Sequence, residues 1–551
     1  MWFRSRGTIA RPAPPKDISS FVFDTLDENL SGKQWSKTAI ISGSTGRSLS
    51  FDQIYTKSSQ LASGLQNRLG IRRGDMVFGI FDSQINCTIL FHATMMIGAV
   101  YCMSVPNISE REIARRLSLI QPKVVVTTGC FYYKIMSAFS LVQEWKTGYS
   151  PRIYLAEPDV DSYTPSILSL LTNESYQRVR ITSHEDAKAT AIVAFTSGST
   201  GTSKAVEISH KALVALAHLE NQGVSENGIE AAQQATVLIA VPTCIAFGLY
   251  LFAIRSIIVG GTSIAAFRSP LERSFENISK YQVTDIIMSP KNIIEIRENW
   301  NTVFSKYDIS SVKSLCCSGF MIPFESSKFI EKYLGIRAIN AYGTTETLGI
   351  VKLGTTTAEG SVGVPFPEKN VKIKGINGKE LKVGEVGLIW IYSETNMNGY
   401  FKNPKLTAMV TDNEGFVNTN DVGMFDIEGK LHLLGRFNEM IHHNGQIISP
   451  RGTEKIICSH PGVKEASVIG VYNPKFETEV AFAYIVPSLG SGRPDDISEI
   501  ISWVNSHIQD KKKQLNAGAA YISEIPKNCA CVPNVSEMKD MFYKNSGILP
   551  P

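Results

Sequence analysis

Residues 191–204 read Ala-Ile-Val-Ala-Phe-Thr-Ser-Gly-Ser-Thr-Gly-Thr-Ser-Lys. An apolar, β-prone run ends at Phe195. Small residues follow, Thr196, Ser197, Gly198, Ser199, Thr200, Gly201, Thr202 and Ser203, and the run closes with Lys204. Glycines let a backbone approach an anion closely, and hydroxyls with N–H groups can ring its oxygens. The lysine adds a compact positive charge. The chemistry this composition serves is phosphate binding. It is not a Walker A loop, which sets glycine directly before the lysine and Ser or Thr directly after it. Here Ser203 precedes Lys204 and Ala205 follows, and residues 205–210 read as a strand rather than a helix.

Such a loop needs a rigid frame. Short β-branched runs at 124–126, 192–195, 237–241 and 285–288 alternate with helical patterns at 54–69 and 110–120. Buried strands alternating with helices predict an α/β sheet covered on both faces. From about Val371 the texture changes to short strands between Gly-containing turns, at 371–373, 387–391 and 430–434, which predicts an antiparallel subdomain. After Arg436 the pattern is mixed α+β and long enough for a small separate domain. The expected fold class is α/β. A large N-terminal domain of layered αβ sheets plus a β subdomain, residues 1–435, precedes a small mobile α+β C-terminal domain, residues 436–551.

Composition narrows the function. Of 551 residues, 43% are hydrophobic and 19% charged, which excludes a disordered or fibrous chain. The net charge of +4 argues against a dedicated nucleic-acid binder, though not against a local basic groove. Nine cysteines in scattered positions, Cys529 and Cys531 among them, predict reduced, mostly buried thiols in an intracellular protein. No Cys or His pattern has the spacing of a structural zinc site. Residues 1–16 carry Arg4, Arg6, Arg11 and Lys16 and no acid, and read as a basic, Pro-rich arm rather than a transit peptide. Residues 86–109 and 235–267 are apolar, but Pro106, Pro242, Arg255 and Gly260-Gly261 interrupt them, so both read as buried core and not as spanning segments. The ending Leu549-Pro550-Pro551 is no Ser-Lys-Leu-type peroxisomal address. Cytoplasm is the expected compartment, with peroxisome or mitochondrion as alternatives.

Residues 191–204 resemble the signature loop of the adenylate-forming superfamily, which includes acyl-CoA synthetases, 4-coumarate–CoA ligases, beetle luciferases and adenylation domains. Further stretches fit in the same order: residues 340–346 (Asn-Ala-Tyr-Gly-Thr-Thr-Glu), Gly360-Ser361-Val362-Gly363, Gly399-Tyr400-Phe401-Lys402-Asn403-Pro404, Asp421, and Gly435-Arg436. The resemblance covers nearly the whole chain. It implies an ATP-dependent acid–thiol ligase. A carboxylic acid is activated as acyl-adenylate and passed to CoA, with Mg²⁺ as the metal.

The roles implied by the resemblance are these. Thr196 through Gly201 and Lys204 hold the β- and γ-phosphates. Tyr342 stacks on adenine, Thr345 bonds the α-phosphate and Glu346 holds Mg²⁺. Asp421 accepts the ribose hydroxyls, and Arg436 also reaches the ribose. Ile245, Phe247, Gly248, Ser318, Gly319 and Phe320 line an apolar acyl pocket, fitting a fatty or an aryl acid.

Four departures from the family pattern stand out. Val532, with Cys531 before it, occupies the place of the C-terminal lysine that meets the adenylation transition state. Ile245 replaces a histidine beside the acyl pocket, Asn420 replaces the glycine before Asp421, and Asn438 and Gly452 interrupt the hinge pair and the P-x-E-x-E run. Losing one transition-state stabiliser costs on the order of 10²–10³ in rate. Two readings follow: an active acyl-CoA synthetase, or a degenerate member that binds ATP or acyl-adenylate with little turnover. A luciferase-like monooxygenase is compatible with the fold, but nothing in the chain selects it.

Overall fold

The structure is a computed structural model, described over residues 12–31, 34–81, 85–142, 150–158, 163–196, 203–318, 321–351, 360–366, 368–488, 496–527 and 533–548. Among these residues, two seven-stranded sheets and a five-stranded sheet build a large N-terminal part. A three-stranded sheet centres a smaller C-terminal part.

In the first sheet Val124–Thr127, Met76–Ile80, Val100–Ser104 and Thr190–Phe195 run parallel as neighbours. Ala205–Ser209 then pairs antiparallel with Thr190–Phe195, and Gly399–Tyr400 closes that edge. In the second sheet Arg337–Ala341, Ser314–Ser318, Asp285–Met288, Thr236–Ile239, Thr262–Ala265 and Thr38–Ser42 are parallel neighbours. These strands are Val- and Ile-rich and mostly buried, as parallel strands covered on two faces must be.

One core joins both sheets. It takes Tyr101 and Ile192 from the first, Ile239 and Ala265 from the second, and the helices Ile18–Asn29, Phe51–Asn67 and Asn86–Met96. Every residue of Asn86–Met96 is buried. A helix apolar all round belongs inside a core or a membrane. This one is a core helix, and no described helix is long and apolar enough to cross a membrane. Its one histidine, His92, is reconciled with burial by two bonds: Nδ1 lies 3.2 Å from Ser19 Oγ and Nε2 2.8 Å from the Ala253 carbonyl. Burial pushes its pKa down to about 3, so the ring is neutral.

The helix Glu110–Ile120 forms over the expected residues. Ser109 caps it by accepting from the Glu112 N–H at 3.2 Å. Ile113, Leu117 and Ile120 fall on one face and are buried. The helix expected at 54–69 spans Phe51–Asn67. It starts three residues earlier because Gln53 Oε1 accepts from the Ser50 N–H at 3.1 Å, fixing the first turn there.

The third sheet is antiparallel, in the order Ser361–Gly363, Leu431–Arg436, Val417–Phe425, Gly387–Tyr392, Asn370–Lys374. In the C-terminal part Val463–Asn473 and Thr478–Pro487 form a long hairpin, and Ala519–Tyr521 adds in parallel. The helices Arg451–Cys458 and Ile497–Ser506 pack in one small core of this part, and Val535–Ser546 in another. None of the seven described cysteines is in a disulfide, and five of them are buried.

Candidate active site

Parallel strands present ligands at their carboxyl ends. The strands Ser314–Ser318 and Arg337–Ala341 end side by side, with Ser318 opposite Ala341. Tyr342 follows at once, and Gly343–Thr344 turns back on Leu348–Gly349. The turn is tight: a Cβ on Gly343 would sit 2.4 Å from the Leu348 carbonyl oxygen. Thr345 and Glu346 are carried at its tip. Thr344 Oγ1 accepts from the Thr347 N–H at 3.2 Å, and its hydroxyl lies 2.9 Å from that of Thr347. The Thr345 hydroxyl has no protein partner among the described residues.

Asp421 comes to the same place from the third sheet. It faces Arg436 across the antiparallel pair Val417–Phe425 and Leu431–Arg436. Arg436 Nε lies 3.0 Å from Asp421 Oδ1, and the Tyr342 hydroxyl donates to Asp421 Oδ2 at 2.8 Å. Asp421 is 6% exposed. Burial pushes its carboxyl up to about 6, against the opposing pull of Arg436 and Tyr342. Tyr342, Asp421 and Arg436 line one cavity of about 100 Å³, with Met321, Glu439 and Arg451 also on its wall. Asn420 stands at φ 60°, the left-handed region in which Asn is among the few tolerated residues. The replacement of glycine there is accommodated by the backbone.

The phosphate-loop neck is a strand pair. Phe195 faces Ala205, and the Thr196 N–H donates to the Lys204 carbonyl at 2.9 Å. The run after Lys204 is the strand Ala205–Ser209, as expected. Ser197, Gly198, Ser199, Thr200 and Gly201 lie outside the described residues, as do Thr202, Gly319, Phe320, Cys531 and Val532. Lys204 Nζ stands 5.4 Å from the centroid of the Tyr400 ring. The Tyr400 hydroxyl donates to Glu346 Oε1 at 3.0 Å. Tyr400 thus links Lys204 to Glu346. Its strand Gly399–Tyr400 pairs with Ala205–Ser209, and the Met397 N–H donates to the Glu346 carbonyl at 2.8 Å.

Sequence reasoning quoted Tyr400 within a stretch but gave it no role. It also missed the anchor at the other end of the loop. Glu112 accepts from Arg115 Nε at 2.7 Å, from Arg116 Nε at 2.8 Å and from the Ser203 hydroxyl. Arg115 Nη2 donates to the Ser203 carbonyl at 2.8 Å. Burial would push the Glu112 carboxyl up, but these bonds bring it down to about 2. The only hint in the sequence was the i,i+3 and i,i+4 charge spacing.

None of the described acyl-pocket residues lines the cavity of Tyr342, Asp421 and Arg436. Ile245 is 37% exposed, just before the short helix Ala246–Leu249, and Phe247 packs partly buried on the main core. Packing requires glycine at 248, since a Cβ there would lie 1.8 Å from the Pro242 carbonyl oxygen. Ser318 ends its strand on the second sheet.

A single carboxylate suits Mg²⁺, which is held by one or two carboxylates plus substrate phosphates. Glu346 offers one: Oε1 is bonded to Tyr400, and Oε2 has no partner among the described residues. No cluster of three or more His, Cys, Asp or Glu able to hold a metal occurs among the described residues.

The AMP-binding enzyme profile matches residues 26–401, and the AMP-binding enzyme C-terminal domain profile matches residues 452–529. Probable CoA ligase CCL5 of Humulus lupulus is 28% identical over 504 residues, covering 89% of this chain and 88% of that protein. Peroxisomal OPC-8:0-CoA ligase 1 of Arabidopsis thaliana is 26% identical, covering 94% and 91%. The solved structure of ATP-bound MatB from Rhodopseudomonas palustris shares the fold, with a TM-score of 0.80 over 95% of this chain and 99% of that one at 20% identity. The chain belongs to the AMP-binding enzyme family, the adenylate-forming CoA-ligase-like enzymes.

Proposed function

We propose that the protein joins a carboxylic acid to the thiol of CoA at the expense of ATP. The substrate carboxylate oxygen attacks the α-phosphorus and pyrophosphate leaves. The CoA sulfur then attacks the acyl carbonyl and AMP leaves. The observation that carries this reading is Asp421, held between Tyr342 and Arg436 on the wall of one cavity. A buried carboxylate has two acceptor oxygens for a ribose diol. Tyr342 would cover the adenine, and the Thr345 hydroxyl would bond the α-phosphate. Lys204 and the loop 196–201 would hold the outer phosphates. Bound Mg²⁺ would neutralise phosphate charge, and Glu346, oriented by Tyr400, is the residue to hold it. The domains proposed are 1–435 and 436–551, with the nucleotide between them.

The acid is an apolar one, fatty or aryl. The exposed Ile245 in place of a histidine supports this, as do relatives named for an OPC-8:0 acid and for CoA ligation. The described cysteines, mostly buried and not in disulfides, support a reducing compartment.

A specific observation favours the second reading, a nucleotide binder with little turnover. The two lysines nearest Val532 in the described chain are both engaged. Lys527 pairs with Glu465 at 2.5 Å and Lys539 with Glu479 at 2.9 Å. The test is ATP–pyrophosphate exchange against a panel of carboxylic acids, with CoA thioester scored in parallel. Acid-dependent exchange and thioester support the ligase. Nucleotide binding without exchange for any acid supports the binder.

A further inference from the structure

The cavity that holds Tyr342, Asp421 and Arg436 has a wall from beyond the third sheet. Arg451, the first residue of the helix Arg451–Cys458, lines it. Its guanidinium Nη1 lies 3.9 Å from the sulfur of Met321, on the opposite side of the domain boundary. No carboxylate is within ion-pair distance of Arg451 among the described residues. The acids around it are engaged elsewhere: Glu439 Oε2 accepts from the Arg436 N–H at 3.0 Å, and Glu454 Oε1 from the Val468 N–H at 2.9 Å. Other cations near the site or near Val532 are committed, Arg436 to Asp421, Lys527 to Glu465 and Lys539 to Glu479.

An exposed arginine is ordinarily solvated surface. Arg451 differs in making no salt bridge among the described residues, with only the field of Glu454 acting on it, and in standing at the edge of a cavity already lined by a buried carboxylate. A guanidinium is weakly hydrated and offers five donors in a fork that matches phosphate oxygens. In the proposed function Tyr342 takes the adenine and Asp421 the ribose, so the phosphate is the one anionic group of the nucleotide left for a guanidinium on this wall.

We propose that Arg451 is a nucleotide-binding residue contributed by the C-terminal part of the chain, donating to a phosphate oxygen of the bound adenine nucleotide. This rests on the adenylate reading of the cavity. It supplies from the C-terminal part a positive charge that Val532 cannot.

The test uses the full-length protein and calorimetric titration with AMP, ATP and adenosine. Arg451→Ala should weaken AMP and ATP by about 10- to 150-fold, the range for a charge-assisted hydrogen bond, and leave adenosine within about twofold. Arg451→Lys should keep part of the AMP affinity, because it retains the charge and loses the fork. Parent-like AMP binding by Arg451→Ala overturns the proposal. So does an equal loss for AMP and adenosine, which would mean a disturbed cavity and no phosphate contact. A folded parent that binds no adenine nucleotide overturns the adenylate reading itself, and the proposal with it.

Discussion

Asp421 and Arg436 face each other in register across two antiparallel strands, with Oδ1 3.0 Å from Nε, while the Tyr342 hydroxyl holds the other carboxylate oxygen at 2.8 Å. In the nucleotide-bound state this carboxylate is expected to accept the ribose hydroxyls. Asp421→Ala should therefore weaken AMP and adenosine alike, by about 10- to 150-fold. That profile differs from the one expected for Arg451→Ala in its loss of adenosine affinity. Because burial lifts the Asp421 carboxyl to about 6, protonation removes an acceptor within an accessible pH range. AMP affinity should be level at pH 8 and decline as pH falls through about 6. Titration calorimetry from pH 5 to pH 8 reads this directly, and a flat profile would refute it.

Tyr400 orients Glu346 through one hydrogen bond. Tyr400→Phe deletes that bond and keeps the ring beside Lys204. Affinity for Mg-ATP should drop by roughly 10-fold, within the range for a bond to a charged acceptor, and AMP affinity without magnesium should not change. Comparing the two ligands in one titration series checks it.

Asn420 occupies the left-handed region at φ 60°. Asn420→Gly should leave stability nearly unchanged. Asn420→Val should cost about 1–2 kcal/mol, because a branched side chain is poorly tolerated there. Urea unfolding midpoints distinguish the two.

Lys369 is fully buried, and its Nζ donates to the Thr347 carbonyl at 2.8 Å and to the Thr395 hydroxyl. Burial lowers its pKa from 10.5 to about 7, with Glu368 opposing. Between these values the unfolded chain binds the proton and the folded chain does not, so stability rises with pH in that window. The melting temperature should climb from pH 7 to pH 9, and Lys369→Met should flatten the climb.

Val532→Lys restores the charge that the family places in the C-terminal loop. Pyrophosphate exchange should rise, by up to ~10²-fold if the loop reaches the site. A parent already turning over at about 1–10³ per second would exclude the degenerate reading.

The sequence made the local features legible. The strand into Thr196, the strand out of Lys204 and the helix Glu110–Ile120 are each written in contiguous residues, so composition and spacing reveal them. The contacts that join Tyr400 to Glu346 and Tyr342 to Asp421 span 54 and 79 residues. No periodicity encodes such pairs, because each joins a residue on a strand to one just past another strand's end, far away along the chain. Order along the chain suggested Asp421 through resemblance, whereas Arg451 falls at the unspecified second position of the P-x-E-x-E run, which announces no role for it. The Glu112 anchor on Ser203 was hidden for a further reason. Charged residues three and four apart on a helix look the same whether they face solvent or a loop.

The helix Asn86–Met96 has no solvent face. Its amides can meet water only when the packing of both large sheets opens, so their hydrogen exchange should report global unfolding and not local fraying. The two sheets are then one cooperative unit. A cut placed between them would release no independently stable half, and only the C-terminal part, with its own small cores, is a candidate for separate expression.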